Sequence, residues 1–194
     1  MPRPLAQMYA EHSSIAAVLN AMKALVREVR DRGKRIDPKV FRAIIYYLDV
    51  FPEREHHRNE EFVLFPLIRQ RTHEADAVLD QLAREHMAGE QAIRDLEQAF
   101  LRYEERPGEF ASFATAAEAY VEQYFEHMRK EEREVMPIAL RFLSAEDWRR
   151  VETEFGAKAD PLTGTSAETT PEELFRRVVM LVPAPYGVGA PIDD

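Results

Sequence analysis

A chain of 194 residues with 45% hydrophobic content has enough apolar material for one domain with a sizeable core. Its 26 Lys and Arg against 35 Asp and Glu give a formal charge of -9 with no dense basic cluster, which argues against nucleic acid as a partner. Cysteine is absent, so disulfides, iron–sulfur clusters and cysteine nucleophiles are excluded, and any metal must be held through nitrogen and oxygen. No apolar run of about 18 residues could cross a bilayer, and the N-terminus does not read as a signal peptide, so a cytoplasmic protein without membrane attachment is expected. Few glycines and long amphipathic stretches of Ala, Leu, Glu and Arg predict an all-α fold.

From Leu5 to about Arg32, Leu5, Met8, His12, Ile15, Leu19, Met22 and Val26 recur at three- and four-residue steps, and Gly33 follows as a stop. Asp37-Pro38 supplies a cap and a favourable first residue for a second helix running to about Arg71, with a kink expected at Pro52. A third helix is expected over about Ala75 to Arg106, placing Leu79, Leu82, His86, Glu90, Ile93, Leu96 and Phe100 on one face. A fourth, about Phe110 to Phe142, carries Tyr120, Tyr124, His127, Glu131 and Val135 inward. Four long helices with short connections imply an up-down-up-down four-helix bundle over residues 1–143. Residues 144–194 then form a short helical C-terminal extension. Ser144 and Asp147 open one short helix to about Phe155, a Gly/Thr/Ser/Pro-rich loop follows from Gly156 to Thr169, and Thr170-Pro171-Glu172-Glu173 opens another before an irregular tail.

Within the bundle the motif His-x-x-x-Glu-Glu occurs twice, at His56 to Glu61 and His127 to Glu132, each time with proline six residues after the first glutamate, at Pro66 and Pro137. Residues four apart on a helix share a face, so His56 with Glu60 and His127 with Glu131 can each hold one ligand. Four of the six histidines, His12, His56, His86 and His127, fall one per helix on the inward stripes, and each follows a glutamate: Glu11, Glu55, Glu85 and Glu126. Three inward carboxylates, Glu60, Glu90 and Glu131, would be costly in a dry core without compensating cations, and two divalent ions would make the cluster nearly neutral. Alignment on the two prolines matches His56 with His127 and leaves His57 opposite Met128, in a supporting or exposed role. The pair His57 and Glu61 is the alternative clamp. His73, in a connection, is expected at the surface, and Tyr9, Tyr120 and Tyr124 are expected in the core, where one could hydrogen-bond a ligand.

The combination of His12, His56-x-x-x-Glu60, His86-x-x-x-Glu90 and His127-x-x-x-Glu131, with Leu64-Phe65-Pro66 closing the first motif, resembles the hemerythrin-like family of HHE cation-binding domains over about residues 5–143. The resemblance implies a bundle holding two iron ions bridged by two carboxylates and an oxo or hydroxo group. Glu60 and Glu131 match the bridging carboxylates, and His12, His56, His86 and His127 match terminal ligands. Manganese or zinc could occupy the same nitrogen and oxygen donors. The chain departs from oxygen-carrying relatives at Glu90, where they have a second histidine on the third helix, and at Glu131, where they use an aspartate one position later. An anionic Glu90 ligand would favour the ferric state and ease autoxidation. The implied function is binding of, or reaction with, dioxygen, peroxide or nitric oxide, in sensing or detoxification. A peroxide-decomposing or iron-handling enzyme and a metal-free helical scaffold are the alternatives, and no catalytic side chain is singled out.

Overall fold

The computed structural model describes residues 1–156 and 171–192. Six helices carry them: α1 (Arg3–Arg32), α2 (beginning as Pro38–Leu48 and ending as Phe65–Arg71), α3 (Asp76–Glu105), α4 (beginning as Phe110–Lys130 and ending as Met136–Phe142), α5 (Ala145–Gly156) and α6 (Pro171–Leu181). No strand occurs among the described residues.

Two apolar clusters fix the arrangement. The first joins Val18 to Val26 of α1, Val40 to Phe51 of α2, Ile93 to Phe100 of α3 and Phe113 to Met128 of α4. The second joins Leu5 and Met8 of α1, Leu64 to Ile68 of α2, Leu79 and Leu82 of α3, and Val135 to Ala139 of α4. The late part of α1 and α3 thus meets the early part of α2 and α4, and the reverse holds at the other end. Successive helices therefore cross the bundle in opposite senses. The short helices share these clusters: Trp148, Val151 and Phe155 of α5 join the second, and Leu174 and Val178 of α6 join the first.

Local sequence explains the ends. Gly33 adopts φ 64° and closes α1, a conformation that L side chains rarely enter. Asp37 caps α2 by accepting from the Lys39 amide at 2.9 Å, and Pro38 fills the first helical position. At α5 the Ser144 amide and hydroxyl donate to Asp147 Oδ2 at 2.9 and 2.7 Å, while the Asp147 amide donates to Ser144 Oγ at 3.2 Å. Arg71 then holds Asp147 through two bonds of 2.9 and 2.8 Å, fastening α5 to the end of α2. The Gly/Thr/Ser/Pro-rich loop after Gly156 and the Thr170 cap lie outside the described residues.

The kink expected at Pro52 takes another form. The helix runs on, widened to the π register over Asp49–His56, with the His57 amide donating to the Pro52 carbonyl five residues back. A missing N–H and a bulky ring fit a wide turn better than an α turn. The same widening recurs over Glu60–Leu64 and Glu131–Val135, where the Phe65 amide reaches the Glu60 carbonyl and the Met136 amide reaches that of Glu131. Each lies immediately before Pro66 or Pro137, so the twice-repeated proline sets a twice-repeated distortion at the glutamate pairs.

Candidate metal centre

Between the two apolar clusters, six side chains converge: His12 on α1, His56 and Glu60 on α2, His86 on α3, and His127 and Glu131 on α4. All six are buried, with Glu60 and Glu131 each 1% exposed. The imidazoles form two pairs. His12 Nε2 lies 3.1 Å from His56 Nε2, and His86 Nε2 lies 3.1 Å from His127 Nε2. The carboxylates span the pairs: Glu60 places Oε1 3.5 Å from His56 Nε2 and Oε2 3.5 Å from His86 Nε2. Glu131 places Oε2 3.2 Å from His12 Nε2 and Oε1 3.0 Å from His127 Nε2. None of these four oxygens makes a hydrogen bond of good geometry with a protein atom. Two groups of four potential ligands result, His12, His56, Glu60 and Glu131 in one and Glu60, His86, His127 and Glu131 in the other.

Every inward imidazole is oriented from behind by a carboxylate on a different helix. His12 Nδ1 meets Glu132 at 2.9 Å, His56 Nδ1 meets Glu11 at 2.8 Å, His86 Nδ1 meets Glu61 at 2.8 Å and His127 Nδ1 meets Glu85 at 3.1 Å. Lys130 in turn binds Glu85. A neutral imidazole that donates its Nδ1 proton to a carboxylate has only a lone pair at Nε2. Four such lone pairs and four carboxylate oxygens then face one another in a buried space. Acceptors crowded in this way repel one another unless cations lie among them, so the donor set fits metal binding on chemical grounds.

Titration behaviour without metal shows the same conflict. Burial and the adjacent Glu131 hold the Glu60 carboxyl well above its ordinary range. Burial pushes Glu131 the same way, but His127 and His12 outweigh it and hold that carboxyl well below. For His127, burial favours the neutral ring, yet Glu131 and Glu85 raise it to about 9.

Glu90 is a correction. It was expected as an inward ligand, but its side chain is 61% exposed and lies 4.0 Å from Arg94. The buried seam of α3 runs Leu79, Leu82, His86, Gly89, Ile93, Leu96 and Phe100 in alternating steps of three and four, so the inward position after His86 is Gly89. The argument for easier autoxidation through a Glu90 ligand loses its basis with it. His57, expected in a supporting or exposed role, is buried, and its Nε2 meets the Tyr124 hydroxyl at 2.8 Å. The alternative clamp of His57 and Glu61 does not form, because Glu61 serves His86. His73 lies at the surface beside Asp76, at 2.9 Å.

Sequence reasoning missed Glu53. It is buried on α2, its Oε1 accepts from the Tyr120 hydroxyl at 2.7 Å, and its carboxyl packs on Gly89. Burial pushes this carboxyl up to about 7, against the opposing pull of the Tyr120 hydroxyl. Its sequence signal was Gly89, a residue without a side chain at an inward position of a helix. The carboxylates that orient the histidines had a signal too: Glu11 and Glu85 precede histidines, and Glu61 and Glu132 are the second members of the Glu-Glu pairs.

Fold and site together define a helical bundle with a buried cluster of histidines and glutamates whose donor set is compatible with metal binding. Residues 3–139 match the family model of the Hemerythrin HHE cation binding domain, and the chain belongs to that family. A comparison with curated proteins gives no match. No helix among the described residues is long and apolar enough to cross a membrane.

Proposed function

We propose that the chain is a non-haem di-iron protein that binds or reacts with a small molecule such as dioxygen, peroxide or nitric oxide. The observation that carries this reading is the spanning arrangement of Glu60 and Glu131, each offering one oxygen to the His12–His56 pair and the other to the His86–His127 pair. In this reading the six residues are the metal ligands. Glu11, Glu61, Glu85 and Glu132 keep the Nδ1 protons in place, so the Nε2 lone pairs stay turned inward. The apolar clusters on either side keep bulk water out. A bound iron pair supplies redox chemistry that no side chain of this protein has.

Histidine and carboxylate donors do not by themselves select iron over manganese or zinc. Elemental analysis of the purified chain, followed by near-ultraviolet absorption before and after peroxide, tests the proposal. Two irons per chain with a peroxide-dependent spectrum are expected. A chain that purifies without metal and folds identically in chelator would refute it and favour the scaffold alternative.

A further inference from the structure

The four orienting carboxylates are not equivalent. On α1 and α3 the sequence repeats Gln-x-x-x-Glu-His, at Gln7 to His12 and at Gln81 to His86. Gln7 donates to Glu11 Oε1 and Gln81 to Glu85 Oε1, each at 2.9 Å, and Lys130 also binds Glu85 Oε1. The Oε2 atoms of Glu11 and Glu85 hold His56 and His127, so both oxygens of each are in use. Glu61 and Glu132, the second members of the Glu-Glu pairs on α2 and α4, hold His86 and His12 through Oε1 alone. Their Oε2 atoms have no hydrogen-bond or ion-pair partner among the described residues. They are also the more open side chains, with exposures of 40% at Glu132 and 33% at Glu61 against 24% at Glu85 and 16% at Glu11.

A hydrated cation is not carried through packed apolar side chains, and such clusters close the centre towards both ends of the bundle. What remains are the four seams between neighbouring helices, each spanned by one carboxylate–imidazole bond. Across α1/α2 and α3/α4 that bond is backed by a glutamine. The α3/α4 seam does contain a cavity beside Glu85 and Gln123, but it is about 10 Å³, the space of roughly one water molecule, and Lys130 sets a like charge next to it. Across α2/α3 and α4/α1 a single bond has to yield, and an unengaged carboxylate oxygen stands beside it.

We infer that Glu61 and Glu132 are the loading ports of the centre: each receives a divalent cation on its unengaged oxygen, and His86 and His12 turn to admit it while His56 and His127 stay fixed. This rests on the metal-centre reading of the same residues. One port serves each imidazole pair, since His12 belongs to one and His86 to the other. Glu11 and Glu85 offer no such exchange, because the oxygen that would receive the cation is already held by glutamine or by glutamine and lysine.

Mixing the metal-free full chain with cobalt(II) and following the rise of its visible absorption gives the loading rate. Glu61→Gln combined with Glu132→Gln removes the two anionic oxygens but leaves an amide oxygen able to accept from each imidazole. This pair should load at least about tenfold more slowly than the parent, to the same final cobalt content. Glu90→Gln with Glu97→Gln removes the same charge from exposed positions outside the centre and should load at the parental rate. Glu11→Gln with Glu85→Gln should weaken binding through faster release, slowing loading less than the port pair does. In the unaltered metal-free chain, the ring Nδ1 protons of His12 and His86 should exchange with solvent faster than those of His56 and His127, a measurement that stands if a variant does not fold. Full loading of the port pair at the parental rate, equal slowing in the exposed pair or in the Glu11 and Glu85 pair, or the reverse order of proton exchange would overturn the inference. A folded parent chain that takes up neither cobalt nor iron would overturn the metal-centre reading itself, and the ports with it.

Discussion

Replacing Glu60 with Gln should move the metal-free and metal-loaded protein in opposite directions. Glu60 is 1% exposed, neither oxygen has a hydrogen-bond partner, and burial together with Glu131 holds its carboxyl well above the ordinary 4.5. Above its ordinary value the unfolded Glu60 ionises freely, whereas burial in the folded metal-free chain works against that ionisation. The folded value is the raised one, so the stability linked to this group is fully present below 4.5 and is lost as pH rises towards the folded value. A glutamine has no such dependence. A buried acceptor left unpaired costs about 1–3 kcal/mol and more when charged, so neutralising it recovers on the order of 2 kcal/mol, and a gain of about 2 kcal/mol in a chain of this length raises the unfolding midpoint by about 4–8 °C. With metal the sign reverses, since a ligand held at about 100 times its dissociation constant stabilises the native state by about 2.7 kcal/mol, which the variant forgoes. Thermal unfolding followed by circular dichroism, at pH 7 in chelator and again with iron, measures both terms. Repeating the chelator arm near pH 4.5 should abolish the gain. A variant less stable than the parent in chelator at pH 7 would refute the reasoning and make Glu60 a structural residue.

Glu90→Ala should leave metal content and unfolding midpoint unchanged, since the side chain is exposed and its partner Arg94 is too; loss of metal would return Glu90 to the ligand set. Glu132→Ala should keep the metal stoichiometry while weakening affinity about 10–100-fold, because the His12 ring loses the acceptor that orients it; competition with a chelator reads this directly. Metal loading should release protons. Metal-free His127 holds its proton up to about 9, so affinity should climb with pH below that value and level off above it. Titration calorimetry in two buffers of different ionisation enthalpy counts the protons, and an affinity independent of pH would contradict the assignment of His127.

The long helices and most of the centre were legible because two strong periodicities agree. The three- and four-residue spacing of apolar residues set the helices, and the repeated His-x-x-x-Glu-Glu-…-Pro motif set the clamp. What escaped depends on helix phase and on contacts between helices. Glu90 satisfies the i+4 rule after His86, yet α3 keeps a regular seam on which Gly89 takes the inward place. On α2 and α4 the i+4 rule does place Glu60 and Glu131 inward, where the prolines widen the helix at those residues. One spacing thus gives different outcomes according to seam phase: the buried seam steps by four after His127, to Glu131, and by three after His86, to Gly89. His57 was unreadable for a related reason, since Met128 in the matching position suggested a minor role while its actual partner, Tyr124, lies on another helix.

The orienting carboxylates show why the centre and the bundle depend on each other. Glu11 of α1 holds His56 of α2, Glu61 of α2 holds His86 of α3, Glu85 of α3 holds His127 of α4, and Glu132 of α4 holds His12 of α1. Each helix thus aligns the histidine of the next, and the fourth closes the ring on the first. Sliding any one helix by a turn, about 5.4 Å, would break two of these bonds and leave two imidazoles free to rotate. Helix register is therefore written into the polar layer as well as into the apolar clusters on either side of it. A cation that draws four Nε2 atoms and two carboxylates together would tighten the same register it depends on, which is the physical basis for expecting metal to raise stability and not merely to occupy a preformed hole.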